Sequence, residues 1–266
     1  MSASSTIGVI GVGHLVRHMM PALVTGGHRF ILSARNRETA AELSRRFRLE
    51  IVEDNAEIVA RCDIVILAVR PYDAVQVAGS LPWRADTTVL SLCAGVGSAD
   101  LAPAVAPARL VMAMPTVGAE FGESATVMWP EDAPCRALLE PCGPVIALAE
   151  ERLFAPASVI ACYYGWVHEL VDAMTTWTAD RGIPEDAARL LVAQTTRGAA
   201  TVVRERRDTP IPKLVADVTK PKSFTLLGLE ELRRHDAFGL WRDAADTVAK
   251  HLSGANGPDA VKPKGG

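Results

Sequence analysis

Six short, nearly continuous apolar runs punctuate the first 114 residues: TIGVI at 6–10, RFILSA at 29–34, LEIV at 49–52, DIVILAV at 63–69, TTVLSL at 87–92 and RLVMAM at 109–114. Strands that alternate apolar and polar residues show one face to water; unbroken runs belong to strands buried on both faces. Helix-length connections separate them, which is the pattern of a parallel sheet covered by helices. Two further short strands are expected in ATVMWP and PVIALAE, around a helix at 133–140, extending the sheet.

Past residue 152 the strand signal stops, and apolar residues recur at helical spacing over 156–181, 184–207, 223–235 and 239–252. Pro184 followed by Glu185 and Asp186 suits a first helical turn, where a missing N–H costs nothing and the dipole favours acids. The expected architecture is an α/β domain over 1–152 followed by an all-α domain over 153–253. The segment 254–266, GANGPDAVKPKGG, has no apolar anchor and is expected to be a disordered tail.

Composition narrows the classes of partner. A chain of 266 residues that is 49% apolar has material for a large core. Its formal charge of -3 comes from mixed acids and bases, which argues against nucleic acid or an anionic membrane as partner. No apolar run approaches the roughly 18 residues of a membrane span, and the first five residues, MSASS, are polar, so the expected location is cytoplasmic. Cys62, Cys93, Cys135, Cys142 and Cys162 form no C-x-x-C pair, so no metal is expected and all five are read as buried, reduced thiols.

The first strand runs into GVGHLVRHMM, which places Gly11 and Gly13 at a strand-to-helix turn, with Val16 where a third small residue usually stands. Gly11 permits the tight turn, Gly13 lets the backbone approach a pyrophosphate, and the helix start offers amide donors. A plain tight turn would use the same glycines; the β-α-β setting favours a dinucleotide. At the end of the second strand an acid would bind a ribose diol, but the chain carries Ser33, Ala34, Arg35, Asn36 and Arg37. A hydroxyl, a guanidinium and an amide suit a 2′-phosphate, so NADP is expected over NAD. Arg37 reads equally well as a solvated charge at a helix start.

These segments, with DNAE at 54–57, DIVILAVRP at 63–71, SLCAGV at 91–96, MPTVG at 114–118 and AQTTRGAA at 193–200, resemble pyrroline-5-carboxylate reductases over about 6–252. The resemblance implies a Rossmann dinucleotide-binding domain, then an all-α dimerisation domain, and reduction of a cyclic imine by NADPH within a homodimer. It implies that Gly11, Gly13, His14 and Leu15 hold the pyrophosphate and that Ser33, Arg35 and Asn36 meet the adenosine phosphate. Asn55 would lie beside the adenosine, while Ala68, Val69, Arg70, Pro71, Ala94 and Gly95 would border the ribose and nicotinamide.

The departures from the family pattern are concentrated elsewhere. Where the family reads S-G-S-G-P-A-Y, this chain has Ile160, Ala161, Cys162, Tyr163, Tyr164, Gly165 and Trp166. Where it reads S-P-G-G-T-T, Lys220, Pro221, Lys222, Ser223, Phe224 and Thr225 stand. The asparagine of M-P-N-T-P is replaced in Met114 to Gly118. All three changes fall in the substrate and nicotinamide region, while the adenosine side keeps its residues, which points to a changed substrate.

On the long helix, Tyr163, Trp166, Leu170, Ala173 and Trp177 share one stripe, and Tyr164, His168, Val171 and Thr175 another. The first stripe is most economically core or dimer interface. The second is a pair facing a pocket or a helix contact, and both remain open. Tyr163 or Tyr164 is a candidate proton donor, Lys220 another if it is buried, and Thr225 the best polar contact to substrate. The leading reading is an NADPH-dependent cyclic-imine reductase with a small-molecule imine as partner. Alternatives are a true pyrroline-5-carboxylate reductase of proline synthesis, a ketone or hydroxyacid oxidoreductase, and a non-catalytic NADP-binding dimer.

Overall fold

The computed structural model describes residues 5–252, so the expectation for the tail at 254–266 lies outside the described residues. Eight strands form one sheet: β1 (Thr6–Ile10), β2 (Arg29–Ser33), β3 (Glu50–Val52), β4 (Ile64–Leu67), β5 (Thr88–Ser91), β6 (Arg109–Met114), β7 (Thr126–Trp129) and β8 (Val145–Ala147). Their order is β3-β2-β1-β4-β5-β6-β7-β8, with neighbours from β3 to β6 parallel. Helices α1 (His14–Leu23), α2 (Arg37–Phe47), α3 (Asn55–Arg61), α4 (Pro71–Gly79), α5 (Ser98–Val105) and α6 (Ala133–Leu139) intervene.

Alternate residues of a strand point to opposite faces, and both faces are covered. Ile7 and Val9 of β1, with Ile64 and Ile66 of β4, pack on one side with Met19, Met20, Leu43 and Leu138 from α1, α2 and α6. Ile10, Val65 and Leu67 face the other way, onto Ile58, Ala74 and Leu101 from α3, α4 and α5. The unbroken apolar runs of the sequence thus have their cause in a three-layer core. Gly8 in β1 belongs to the same packing, since a Cβ there would lie 2.2 Å from Ile58 Cγ2.

One strand departs from the parallel pattern. β7 pairs antiparallel with β6, Met112 opposite Trp129 and Met114 opposite Val127. The link between them holds only a single-turn segment at Val117–Phe121. That is too little chain for a crossover helix, so it reverses. β8 then runs parallel to β7.

The rest is helical: α7 (Phe154–Ala179), α8 (Glu185–Glu205), α9 (Ile211–Val218), α10 (Phe224–Arg234) and α11 (Ala237–Leu252). Pro184 caps α8 from outside its first turn. α9 was not among the helical segments expected from the sequence; Pro210 and Pro212 fall at its N-terminal end, where proline is tolerated. The chain divides into two compact units, a sheet unit up to Ala161 joined by the residues from Val248, and a helical unit Cys162–Thr247. Among the described residues no helix is long and apolar enough to cross a membrane. Four of the cysteines are buried as expected, but Cys162, on α7, is exposed.

Side-chain caps close several helix starts: Asn36 accepts from Thr39 N at 3.4 Å on α2, Asp54 from Ala56 N at 2.8 Å on α3, and Asp132 from Cys135 N at 3.0 Å on α6. Asp132 also accepts from Arg109 Nη1 at 2.8 Å, and Arg109 Nη2 reaches Thr88 Oγ1 at 2.7 Å, tying β5, β6 and α6 together. Burial alone would push the Asp132 carboxyl up, but the hydrogen bonds from Cys135 and Arg109 outweigh it and hold the group below the usual aspartate value. Asp132→Ala is expected to cost about 1–2 kcal/mol near neutral pH, from the lost cap and ion pair, read as a lower denaturation midpoint. Because the folded-state value is depressed, this contribution is complete above about pH 4 and fades as the pH falls further. A wild-type-to-variant gap that stays constant down to the lowest pH at which both fold would overturn it.

Candidate functional site

β1 ends just before Gly11, and the strand order reverses on either side of it: β2 and β3 lie to one side, β4 to β6 to the other. Crevices in open α/β sheets form at such a switch point, outside the carboxyl ends of the strands. Here a cleft of about 700 Å³ opens there, lined by Gly11, Val12 and Gly13 after β1, Arg35, Asn36 and Arg37 after β2, and Val69, Arg70, Tyr72 and Asp73 after β4.

Gly11 has φ +97°, and a Cβ on it would lie 2.5 Å from the Ala68 carbonyl oxygen. Only glycine lets the β1 exit pass this close to the β4 exit. Gly13 is glycine for the opposite reason: a Cβ there would meet nothing within 4 Å, so the loop leaves open space above the start of α1. Gly13 precedes α1 without a side-chain cap, and the helix's first amides are left to an outside acceptor. Val16 is buried in the core, packing helix on strand. This geometry fits a dinucleotide pyrophosphate.

Six of the residues singled out in the sequence for the cofactor meet in this cleft: Gly11, Gly13, Arg35, Asn36, Val69 and Arg70. Others take different positions. Ser33 is buried at 2% exposure, and its Oγ accepts a hydrogen bond from Gly11 N at 3.1 Å. It braces the glycine turn from behind, where the expectation had it meeting a phosphate. Asn36 spends its side-chain oxygen on capping α2. Leu15 is half-buried, its side chain packed against the core. His14 is exposed at the first position of α1, its ring edge-on to His18 at 4.6 Å, and His18 Nδ1 lies 2.8 Å from Glu120. Ala68 borders Gly11 through its backbone, Asn55 opens α3 and Pro71 opens α4. Ala94 and Gly95 follow β5, and Gly95 lines a separate hollow of about 50 Å³ with Phe154, Ser158 and Leu252.

Tyr72 and Asp73 were missed. Both sit in the first turn of α4, directly after Arg70 and Pro71, and a helix start aimed at the cleft was the signal that would have found them. Arg70 donates to the Tyr72 hydroxyl, with its guanidinium 5.8 Å from the ring centroid. Tyr72 raises the Arg70 pKa by that hydrogen bond. Arg35 Nη2 lies 3.4 Å from Asp73 Oδ2, and Arg37 Nη2 3.7 Å from Glu53. Among the described residues no cluster of three metal-ligating side chains occurs.

The four residues singled out for chemistry all belong to the helical unit. Tyr163 is 44% exposed and stands edge-on to Trp241 at 5.4 Å and Trp166 at 6.3 Å, with Trp166 and Trp241 also 6.3 Å apart. Tyr164 is half-buried, edge-on to His168 at 4.6 Å. Lys220 is exposed rather than buried and lies 3.7 Å from Asp217, so it lacks the apolar surroundings its proposed role required. Thr225 is exposed at the start of α10, after Ser223, whose Oγ caps that helix at 3.1 Å. Lys222, before it, adopts φ +65°, a left-handed conformation that suits glycine.

Comparisons with known proteins follow the same division. A family described as NADP oxidoreductase, coenzyme F420-dependent, matches residues 6–95. One described as pyrroline-5-carboxylate reductase dimerisation matches 150–254. Pyrroline-5-carboxylate reductase 2 of Bacillus subtilis (strain 168) is 26% identical over 85% of this chain and 86% of its own. The Glycine max pyrroline-5-carboxylate reductase is 28% identical over 93% and 94%. Among solved structures, the Plasmodium falciparum pyrroline carboxylate reductase with NADP bound superposes with TM-score 0.81 at 18% identity, covering 92% of this chain and 96% of that one. The Streptococcus pyogenes 1-pyrroline-5-carboxylate reductase gives 0.80 at 23%, over 94% and 98%. At these identities the structures speak for the fold alone, an α/β Rossmann unit followed by an all-α domain. One family model lies on the strand-rich part and another on the helical part, and along nearly its whole length the chain is similar to pyrroline-5-carboxylate reductases.

Proposed function

We propose that this protein is an NADPH-dependent reductase of a cyclic imine whose substrate differs from the pyrroline-5-carboxylate named for its relatives. The observation that carries the reading is the cleft in which the Gly11–Gly13 turn and the guanidinium of Arg35 converge. Gly13 and the first amides of α1 receive the pyrophosphate; Arg35, with Arg37 beside it, receives the 2′-phosphate as a charge-assisted donor. Tyr72 and Arg70 offer the adenine a ring and a planar cation. When bound, the nicotinamide supplies the hydride that reduces C=N.

The remaining chemistry falls to the helical unit, and the division of labour follows the expected domains: 1–152 for the cofactor, 153–253 for association and substrate. An iminium loses its charge as it is reduced, so the protein needs to position the ring and, where the imine arrives neutral, supply a proton. Tyr163 and Tyr164 are the candidate donors, and Thr225 a hydrogen-bonding contact. Lys220 is left a role only as an exposed point charge for an acidic group. The case for a changed substrate rests on two replacements. Tyrosines occupy the helix start where the family has small residues, and Lys222 stands where the family motif has glycine while keeping a glycine-like φ of +65°. Holding that conformation with a lysine costs on the order of 1 kcal/mol, so the turn is retained while its side chains are exchanged.

Two copies are proposed to associate through the helical unit. Among the described residues only Ala188 and Leu214 of that unit are buried apolar side chains, whereas Leu190 is 69%, Leu191 56% and Trp177 51% exposed. Apolar stripes this open call for a matching surface. Light scattering is expected to return about twice the 28.4 kDa chain mass, and a monomer would remove this part of the proposal. The location is expected to be cytoplasmic.

Arg35→Ala is expected to weaken NADPH binding by roughly ten- to a hundred-fold with little effect on NADH, the value of a charged hydrogen bond. Ser33→Ala, which removes the brace on Gly11, is expected to weaken both dinucleotides alike. Titration calorimetry checks both, and equal effects of Arg35→Ala on the two dinucleotides would sink the 2′-phosphate assignment. For the reaction, NADPH absorbance is followed against a panel of cyclic imines with five- and six-membered rings, with and without a carboxylate. Turnover of an imine other than pyrroline-5-carboxylate, reduced at least several-fold by Thr225→Ala or Tyr163→Phe, is expected. Turnover of pyrroline-5-carboxylate alone would make this an ordinary member of its family, and NADPH binding without any oxidation would leave a binding protein.

A further inference from the structure

The cleft assigned above to the dinucleotide carries a negative charge of its own. Asp73 is the only carboxylate among its lining residues, against the guanidiniums of Arg35, Arg37 and Arg70. Its side chain is 25% exposed and its Oδ2 lies 3.4 Å from Arg35 Nη2. Glu53 pairs with Arg37 at 3.7 Å, but it is 78% exposed and outside the cleft lining, so water and salt screen it more.

We propose that Asp73 sets the preference between the two nicotinamide dinucleotides, limiting the advantage that Arg35 gives to a 2′-phosphate. The inference rests on the cofactor reading above. A guanidinium carries five N–H donors in a planar fork, so Arg35 holds Asp73 by one edge and offers another to a phosphate oxygen. That arrangement brings the carboxylate and the phosphate within about one guanidinium's width, where like charges repel. A ribose 2′-hydroxyl is uncharged and escapes the repulsion; a nearby carboxylate accepts a hydrogen bond from it. Asp73 therefore acts against NADPH and not against NADH, and the chain remains open to both. The competing role, in which Asp73 pre-orders Arg35 for the phosphate, predicts the opposite sign.

The test is calorimetric titration of the full chain with NADPH, NADH and adenosine 2′,5′-bisphosphate, for wild type, Asp73→Asn and Arg35→Ala. Asp73→Asn is expected to tighten NADPH and the bisphosphate by about three- to ten-fold, ten-fold being about 1.4 kcal/mol, and to leave NADH unchanged or slightly weaker. If Asp73→Asn leaves the NADPH-to-NADH ratio unchanged or lowers it while Arg35→Ala still discriminates, the role of Asp73 is overturned and the cofactor reading stands. Equal weakening of all three ligands by Asp73→Asn marks a part in holding α4 and overturns the role as well. If Arg35→Ala affects NADPH and NADH equally, the cofactor reading beneath the inference fails.

Discussion

The exit of β1 at Gly11 is the constraint on which the cleft depends. β1 lies inside the sheet, hydrogen-bonded to β2 on one edge and β4 on the other. Its side chains are buried on both faces, so it has no freedom to shift. Where it ends, the backbone passes so close to Ala68 that a Cβ would overlap it, and Ser33 from β2 fastens the Gly11 amide. Three strands thereby converge on one peptide. The start of α1, the arginines after β2 and the first turn of α4 are aimed into one crevice because these strand ends are held together. A substitution that loosened this junction would move all three walls at once, since a close-packed interior passes displacements on.

The helical unit follows a different physical logic. The sheet unit buries most of its large apolar side chains internally, whereas Leu190, Leu191, Leu227 and Phe224 of the helical unit stand open in the single chain. A helix that keeps its apolar face exposed is incomplete without a second surface. The aromatic group of Tyr163, Trp166 and Trp241 joins α7 to α11 by edge-on ring contacts, which are preferred over face-to-face stacking because ring edges are positive and faces negative.

The basic charge of the cleft is partly offset by acids. Each arginine after β2 faces an acid, Arg35 with Asp73 and Arg37 with Glu53. Exposed pairs of this kind add little to stability, so their consequence lies in the field a ligand meets. An anionic ligand must share Arg35 with a carboxylate already there, and the more sheltered of the two acids has the larger effect.

The sequence by itself determined which segments are strands, that they are buried on both faces, where the glycine turn falls, and that a helical half follows. Those properties are written locally, in the spacing of apolar residues and in backbone positions that only glycine tolerates. Tertiary structure alone decided the rest. β7 runs antiparallel because the connection before it is too short to cross over. Ser33 turns inward to Gly11, Asn36 caps α2, and Cys162 faces outward. Asp73 meets Arg35, 38 residues away in sequence, although no local pattern relates them. A residue's type limits which bonds it can make, but which partner lies within 3.5 Å is set by how distant strands are held side by side.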